Sequence, residues 1–261
     1  MSYTLNSFEM SNDSFDLSVQ LVPWDTEIFK CKVAAILNFI VKCSSPDRSD
    51  FDAFNNWVLE NDISIVSCRL SQDKLAESMY LESNGFKFIE MVLHPVTSAL
   101  DRFQVPTVGL LVAEADVHDI PQIGKIAEQV FGFERFHVDP RVDCKLADQR
   151  YRQWAISSFS DRNSKLVKIV TPSEEIVGFF VYEERPDNSV HWLLTAMSKN
   201  FQGRGFGFQA WLTMIWFHRK AGFQKISTTI SARNIPVLNL YSKLSFKFNP
   251  PEMTFHWIRE R

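Results

Sequence analysis

The apolar positions after residue 189 predict a strand, a loop, a helix and a second strand, in that order. Val190 to Met197 (VHWLLTAM) is rich in β-branched, aromatic and aliphatic residues, which is typical of a buried strand. From Phe208 to Trp216, apolar residues recur at three- and four-residue steps, as in an amphipathic helix, and Gly222 follows a basic turn as a helix stop. Gln224 to Ile230 (QKISTTI) returns to a strand pattern.

The first half of the chain shows a related pattern. A helix-like FDAFNNWVLEN precedes the strand ISIVSCRL, the helix KLAESMYLES and the segment NGFKF. The second half has ISTTISAR, a helix and LSFKF at the corresponding places. We interpret the two as a degenerate repeat; the alternative is that strand, helix, strand units simply look alike.

The loop between the strand and the helix concentrates glycine. Three of the nine glycines lie at every second position of KNFQGRGFGF, as Gly203, Gly205 and Gly207. An ordinary turn is one interpretation, because glycine readily adopts positive φ angles. A phosphate-binding loop is the other, because glycine lets backbone N–H groups approach an anion and a following helix adds its N-terminal dipole. The flanking strand and helix favour the second interpretation.

Known glycine loops differ in their spacing. A P-loop ends in Gly-Lys-Ser/Thr, which is absent, and a dinucleotide fingerprint places its third glycine one position later. The residues match Gln-x-x-Gly-x-Gly, as Gln202, Gly205 and Gly207. This resembles the acetyl-CoA loop of the GNAT superfamily of N-acetyltransferases.

Segments on both sides extend the resemblance from about Val112 to the C-terminal end. Ile169 to Glu184 looks like the central hairpin of the family, with Gly178 in its usual apolar setting. Downstream, the family has an Asn that leads a short helix carrying Leu-Tyr and closing on Gly-Phe. These places are filled here, with Ser245 instead of the glycine, by Asn234, Leu240, Tyr241 and Phe246.

The resemblance implies an α/β fold with a mixed sheet. Residues 1–105 would be a partial GNAT-like half, and residues 106–261 a complete GNAT N-acetyltransferase domain. The second half would hold the coenzyme, because the glycine loop lies there, and the first half would complete the sheet and shape the acceptor pocket.

The resemblance also implies contacts to acetyl-CoA as a co-substrate. The backbone N–H groups of the loop would hold the diphosphate, and the strand backbone at Thr195 would pair with the pantetheine arm. A backbone N–H near Met197 would polarise the thioester carbonyl. Asn234 would contact the coenzyme or cap the helix that follows it. The loop residues concerned are Gln202, Gly203, Arg204, Gly205, Phe206 and Gly207, and Arg204 would contact a phosphate or remain solvated.

Acyl transfer to an amine requires a neutral amine, a stabilised oxyanion and a proton for the leaving thiolate. Tyr241 is the candidate general acid, because a phenol with a reference pKa of about 10 carries its proton at neutral pH. The alternative is a tyrosine that packs its ring in the core and makes one hydrogen bond. No general base stands out among Glu183, Glu184 and His191, so a water relay is equally open.

Two further segments bear on the acceptor. Pro23 to Phe29 (PWDTEIF) and Phe133 to Phe159 resemble the TDP-fucosamine acetyltransferase group. This implies acetylation of the amino group of an amino-deoxy sugar nucleotide. Arg135 and His137 are the candidate substrate-binding residues; the alternative is a loop with internal salt links. Another small amine as acceptor, or a silent scaffold that binds CoA or a protein, also stays open.

Composition narrows the class of partner. The net charge of -3 gives no reason to expect nucleic acid or an anionic membrane surface, so a small-molecule acceptor is expected. The four cysteines lack metal-ligand spacing, and no metal is predicted. No secretion signal or long apolar segment is present in the sequence, so a cytoplasmic location is expected. A homodimer is an open possibility.

Overall fold

The structure is a computed structural model that describes residues 7–43 and 46–259, and at residue 48 the backbone alone. The strands are β1 Ser7–Ser11, β2 Phe15–Leu21, β3 Lys32–Val41, β4 Ile63–Ser71, β5 Lys87–Ser98, β6 Leu111–Glu114, β7 Lys165–Val170, β8 Ile176–Arg185, β9 Ser189–Met197, β10 Lys225–Thr228, β11 Ile230–Ser231 and β12 Lys247–Ile258. The helices are α1 Pro23–Phe29, α2 Asp52–Glu60, α3 Leu75–Ser83, α4 Ile120–Val130, α5 Arg135–Val138, α6 Cys144–Ser157, α7 Phe206–Lys220 and α8 Ile235–Lys243.

The chain divides into two compact units. The first contains the residues up to Val92, the short segment Val138–Arg141 and the residues from Pro250. Its strands follow the order β1-β2-β3-β4-β12. Pairing is parallel between β3 and β4 and antiparallel elsewhere in this series. Helices α2 and α3 cover one face of this sheet. The apolar core between the helices and the sheet includes phenylalanines from α2, from the turn before it and from β12.

The second unit contains Leu93–His137 and Val142–Asn249. Its sheet has the order β5-β10-β9-β8-β7-β6, and only the β9–β10 pair is parallel. Two apolar cores cover the two faces: one includes residues of α7 and α8, the other residues of α4 and α6. This mixed sheet with helices on both faces confirms the predicted α/β class.

The predicted repeat is present in the order and pairing of the elements. In the first repeat β3, α2, β4, α3 and β5 follow one another, and in the second β9, α7, β10, α8 and β12 do so. In both, the first two strands pair in parallel across a helical connection. The closing strands are exchanged, however: the end of β5 pairs with β10, and β12 pairs with β4.

One predicted strand differs from the structure. The segment Gln224 to Ile230 is interrupted at Thr229, which separates β10 from β11. β10 has β9 on one side and β5 on the other, whereas β11 pairs with β5 alone. The interruption therefore coincides with the place where β9 and β10 part.

Candidate active site

The glycine loop needs glycine for its backbone conformation. Gly203 has a φ of 70° and Gly205 a φ of 81°, in the left-handed region where a Cβ is strained. A Cβ added at either position would meet no other atom within 4 Å. The strain of the backbone, and not a lack of space, is therefore what selects glycine at these two positions.

Helix α7 begins directly after this loop with Gly205 as its N-cap. The first N–H groups of a helix lack intrahelical acceptors and carry the positive end of the helix dipole. The first turn has no acidic residue, and the last turn holds His218, Arg219 and Lys220. These charges suit the dipole and leave the N-terminal N–H groups open to an anion.

Two side chains of the loop contact the backbone around it. The amide nitrogen Nε2 of Gln202 donates to the carbonyl oxygen of Met197 at 2.9 Å, which ties the loop to the end of β9. Arg204 is exposed and donates from Nη1 to the carbonyl oxygen of Asn200 at 3.2 Å. Its guanidinium carbon lies 5.8 Å from the ring centroid of Phe206. The cationic group therefore stays at the surface of the loop.

The sheet opens beside the end of β9. In the described part of the chain, the pairing of β9 with β10 extends from Ser189 to Trp192, opposite Thr228, while β9 continues to Met197. The next strand, β11, pairs with β5 instead. One edge of β9 from Leu193 to Met197 is thus free of the ladder with β10, and its backbone groups can pair with an extended ligand.

A bulge in β9 decides which side chains face this opening. The register with β8 shifts so that Trp192 is opposite Tyr182 and Leu194 is opposite Val181, which leaves Leu193 as the extra residue. Because one inserted residue reverses the facing of all that follow, Trp192 lies in the core beside α7, whereas Leu194 lies in the core beside α4. Thr195 and Met197 then face the α7 side.

The backbone direction at Met197 follows from its neighbour. The N–H of Ser198 donates to the carbonyl oxygen of Val177 in the β8 strand region at 2.9 Å. Opposed pairs in an antiparallel ladder alternate between hydrogen-bonded and non-hydrogen-bonded. The backbone groups of Met197 and Thr195 therefore point away from β8, toward the open edge.

Gly178 and Gly207 both allow close packing at Met197. Gly178 is opposite Met197 in β8, and a Cβ on Gly178 would collide with the carbonyl oxygen of Ala196. A Cβ on Gly207 would lie 3.1 Å from the terminal methyl carbon of Met197. The strand, the hairpin and the first turn of α7 are therefore held together at this residue.

Tyr241 lies beside the same opening, on α8. It is fully buried, and its hydroxyl oxygen accepts a hydrogen bond from Nε1 of Trp211 at 3.1 Å. The side chains of Thr228 and Thr195 are its other polar neighbours. Burial raises the pKa of Tyr241 to about 12, against the opposite effect of these three partners. The phenol is therefore protonated throughout the physiological pH range.

Asn234 caps α8, as one of its two predicted roles requires. Its side-chain oxygen accepts from the N–H of Val237 at 3.4 Å. At the other end of the helix, Ser245 has a φ of 55°, the left-handed conformation that glycine adopts in the expected Gly-Phe ending. The serine thus keeps the backbone of the motif.

The two predicted acceptor residues differ in accessibility. Arg135 is half-buried, with its guanidinium carbon 4.7 Å from the ring centroid of Phe136. The side chain of His137 is 5% exposed; its Nε2 is hydrogen-bonded to Asp148 at 3.1 Å and its ring is stacked on Tyr151. Burial lowers the pKa of His137, against the effect of Asp148. Of the two, Arg135 is the one that a ligand can reach directly.

The groups considered as general bases are engaged elsewhere. Glu183 is paired with Arg185 at 2.9 Å, and Glu184 with Lys165 at 2.6 Å. His191 is hydrogen-bonded through Nδ1 to Ser227 at 2.8 Å. Burial, and then Arg185, lower the pKa of His191 to about 4, so this imidazole is neutral at physiological pH.

Three residues, two beside Tyr241 and one beside Phe136, were not predicted from the sequence. Trp211 and Thr228 contact Tyr241, and the guanidinium carbon of Arg150 lies 5.1 Å from the Phe136 ring centroid. Trp211 follows the apolar period of α7, which by itself indicates only a core position. The signal available was that a tryptophan N–H needs an acceptor when it is buried.

No helix among the described residues is long and apolar enough to cross a membrane. No group of three or more His, Cys, Asp or Glu side chains in the described part of the chain is arranged to hold a metal ion.

Comparisons with known proteins bear on the family. The model of the Acetyltransferase (GNAT) family matches residues 128–246, whereas a search of curated proteins gave no match. A GCN5-related N-acetyltransferase from Sphaerobacter thermophilus superposes with a TM-score of 0.64 at 11% identity, covering 95% of this chain and 81% of that one. A tandem GNAT protein from the clavulanic acid biosynthesis pathway has a TM-score of 0.57 at 10% identity, with 94% and 79% covered.

A third neighbour is a fungal multi-domain GH3 β-N-acetylglucosaminidase with a GCN5-related glucosamine N-acetyltransferase region. Its TM-score is 0.64 at 11% identity, with 94% of this chain and 31% of that chain covered. At such identities the superpositions show the fold alone, and the sequence match to the family covers residues 128–246. Residues 128–246 match the model of the GNAT acetyltransferase family, and the chain is similar in fold to N-acetyltransferases of that family.

Proposed function

We propose that the chain transfers the acetyl group of acetyl-CoA to the amino group of an amino-deoxy sugar nucleotide. The observation that carries the transfer is the open edge of β9, which lies beside the buried hydroxyl of Tyr241 and ends at the glycine loop. In this proposal residues 106–261 are the catalytic domain, and residues 1–105 are a partial GNAT-like half.

The coenzyme occupies the loop and the open edge. Its diphosphate accepts hydrogen bonds from backbone N–H groups between Gln202 and Gly207, with the dipole of α7 adding to the attraction. The pantetheine arm pairs with the backbone at Thr195, as an added strand would. Asn234 and the cationic Arg204 supply further polar contacts to the coenzyme. The left-handed glycines and the free N-terminal turn of α7 support this arrangement.

The chemistry needs few protein groups, because the thioester is already activated. The neutral amine attacks the carbonyl carbon, and the N–H of Met197 stabilises the oxyanion that forms. The carbon–sulfur bond then breaks, and Tyr241 donates its proton to the sulfur. The proton lost by the attacking nitrogen passes to water, since the carboxylates of Glu183 and Glu184 are held in ion pairs.

Charge on α5 and α6 supports an anionic acceptor. The guanidinium group of the half-buried Arg135 lies 4.7 Å from the Phe136 ring centroid, and that of the buried Arg150 lies 5.1 Å from it. Guanidinium groups bind phosphates well because their planar N–H fork matches the phosphate oxygens. His137, fixed by Asp148, supports the same segment. The neighbour with a glucosamine N-acetyltransferase region makes an amino sugar a reasonable acceptor for this fold.

Release of the CoA thiol against a panel of amines tests the acceptor. The panel pairs each amino-sugar nucleotide with its free amino sugar and includes an amino acid, a polyamine and an aminoglycoside. We expect the nucleotide-linked sugar to exceed its free sugar by about tenfold or more in kcat/KM. Turnover confined to the polyamine or the amino acid would show that the acceptor is wrong. Binding of CoA without turnover of any amine would indicate a silent scaffold.

Replacement of Arg135 by alanine tests the acceptor segment. We expect the KM for the acceptor to rise by about tenfold and the KM for acetyl-CoA to stay within about twofold. Arg162→Ala is the matched control, because Arg162 is an exposed arginine after α6. Equal changes in both Michaelis constants for Arg135→Ala would assign the arginine a structural role.

A further inference from the structure

The hydrogen bond between Trp211 and Tyr241 has a fixed direction. An indole N–H can only donate, so the oxygen of Tyr241 accepts at 3.1 Å and its own hydrogen must point elsewhere. Trp211 is 4% exposed and Tyr241 fully buried in this structure, and a hydrogen bond is stronger in such surroundings than in water. The ring of Phe180 stands edge-on to the indole, with centroids 4.9 Å apart, and restrains it.

The remaining polar neighbours of the phenol lie at the opening of the sheet. They are Thr195 on β9 and Thr228 at the end of β10. The hydroxyl of Thr228 donates to the carbonyl oxygen of Trp192 at 2.9 Å, so its oxygen is left as an acceptor. The phenol hydrogen is therefore directed at the place where β9 and β10 part.

We propose that Trp211 is a positioning residue, which orients the hydroxyl of Tyr241 so that its proton points at the leaving sulfur. This inference rests on the proposed function, in which Tyr241 is the general acid. As the carbon–sulfur bond breaks, its electron pair goes to sulfur, the phenol O–H bond breaks and an S–H bond forms. The indole N–H then donates to a phenolate, a stronger hydrogen bond than the one to the phenol. The phenolate regains a proton from water, which has received one from the attacking amine.

Trp211→Phe removes the N–H and keeps an aromatic ring in the core. We expect kcat to fall by about fivefold, with the KM for acetyl-CoA within about twofold of the parent. Trp216→Phe is the matched control on the same helix, because the Trp216 N–H donates to the carbonyl oxygen of Gln104 and not to Tyr241. This control should leave kcat unchanged.

A double-mutant cycle separates positioning from packing. If Trp211 acts through Tyr241, the variant with both Trp211→Phe and Tyr241→Phe is as slow as Tyr241→Phe alone. If Trp211 only packs, its replacement lowers kcat by the same factor with or without the Tyr241 hydroxyl, and the inference is wrong. Benzothienylalanine at position 211 replaces the N–H by sulfur with nearly the same shape, so it serves if Trp211→Phe does not fold.

The outcomes distinguish this inference from the proposed function. If Tyr241→Phe turns over like the parent, Tyr241 is not the acid and the proposed chemistry fails. If Tyr241→Phe is slow while both replacements of Trp211 retain the parental kcat, the proposed chemistry stands and the positioning role is wrong. Slow turnover with benzothienylalanine in the parent, together with no further loss when it is added to Tyr241→Phe, supports the inference.

Discussion

In both repeats a short helix is closed by the same backbone hydrogen bonds. The N–H of Phe86 donates to the carbonyl oxygen of Leu81, and that of Phe246 to the carbonyl oxygen of Tyr241, each at 3.0 Å. The residues before these phenylalanines, Gly85 and Ser245, both have positive φ angles. By this alignment Leu81 occupies in α3 the place that Tyr241 occupies in α8, so the backbone is shared and the hydroxyl is not.

The N-terminal caps of the helices before α3 and α8, which are α2 and α7, also differ between the repeats. In the first repeat Asp47 caps the turn before α2, its side chain accepting from the N–H of Ser49, and Asp50 completes a capping box. In the second repeat Gly205 caps α7 without any side-chain acceptor. A carboxylate at a helix start satisfies the N–H groups and the dipole internally, whereas glycine leaves both to a ligand. One backbone pattern thus serves for stability in one place and for anion binding in the other.

The largest expected difference between the repeats is the change in kcat when one tyrosine hydroxyl is removed from each. Tyr241→Phe should lower kcat by about 100-fold to 10,000-fold, the usual contribution of general acid catalysis. Tyr80→Phe, beside Leu81 in α3, removes a hydrogen bond of 2.9 Å to the carbonyl oxygen of Asp47 and should leave kcat unchanged. It should cost about 1 kcal/mol of stability. Steady-state kinetics and urea unfolding measure both effects.

The pH dependence of Tyr241→Phe adds a check. Since burial raises the pKa of Tyr241 to about 12, the acid stays protonated across the assay range. The ratio of parental to variant kcat should therefore be constant from about pH 7 to about pH 10. A ratio that falls toward the alkaline end would mean that the phenol titrates within this range, contrary to its buried position.

Acid should destabilise helix α7 of the second repeat more than helix α2 of the first. Burial lowers the pKa of His218 on α7 to about 3, from 6.5, whereas α2 contains no histidine. Between these values the unfolded chain binds the proton and the folded chain does not, so this stability is present above pH 6.5 and is lost as pH falls toward 3. At about pH 5 the loss amounts to about 2 kcal/mol.

Hydrogen exchange measures this loss peptide by peptide. After correction for the intrinsic rate, α7 should lose protection between neutral and acidic pH. In His218→Gln the loss should shrink, because the amide accepts from Trp192 Nε1, as His218 Nε2 does at 3.0 Å, but does not titrate. The same acid loss in parent and variant would remove His218 as its cause.

Glycine substitutions compare Gly205, in the loop before α7, with Gly85, at the end of α3 in the first repeat. Gly205→Val should weaken CoA binding by about tenfold or more, since a branched residue at a φ of 81° strains the loop and shields its N–H groups. Gly205→Asn tolerates the left-handed backbone and should bind CoA more tightly than the valine variant. Gly85→Asn is the control and should leave CoA affinity unchanged. Calorimetry that finds parental affinity in a folded Gly205→Val would contradict a phosphate-binding loop.

Much of the second repeat could be predicted from the sequence, because its signals are local. Periodic apolar residues predicted β9 and α7, alternating glycines predicted the loop, and Asn234 predicted the cap of α8. Each depends on residues a few positions apart, where spacing alone restricts the backbone. The roles assigned to Tyr241, Met197 and Arg135 stay predictions that the experiments above address.

Long-range pairing could not be predicted in the same way. The residue patterns of β5 and β12 do not indicate that each pairs with a strand of the other repeat. Either strand has residues that would suit pairing with β4 or with β10. The bulge at Leu193 was also missed, although it decides that Thr195 faces α7. Trp211 meets Tyr241 across 30 positions of sequence, so only the fold brings the donor to the hydroxyl.

The smallest expected effect concerns the residue at which the two helix endings differ, Gly85 and Ser245. A residue with a side chain at a φ of 55° carries strain of about 1 to 2 kcal/mol, whereas glycine adds about 0.5 to 1 kcal/mol of unfolded-state entropy. Ser245→Gly should therefore raise the free energy of unfolding by about 0.5 to 1 kcal/mol, and Gly85→Ser should lower it by a similar amount. Arg102 donates to the carbonyl oxygen of Ser245 at 2.8 Å, a contact that either residue keeps because it involves the backbone. Urea unfolding of the two variants checks the sign of each change. If Ser245→Gly is less stable than the parent, the serine side chain makes a stabilising contribution that outweighs the backbone strain, and the two endings are not equivalent in energy.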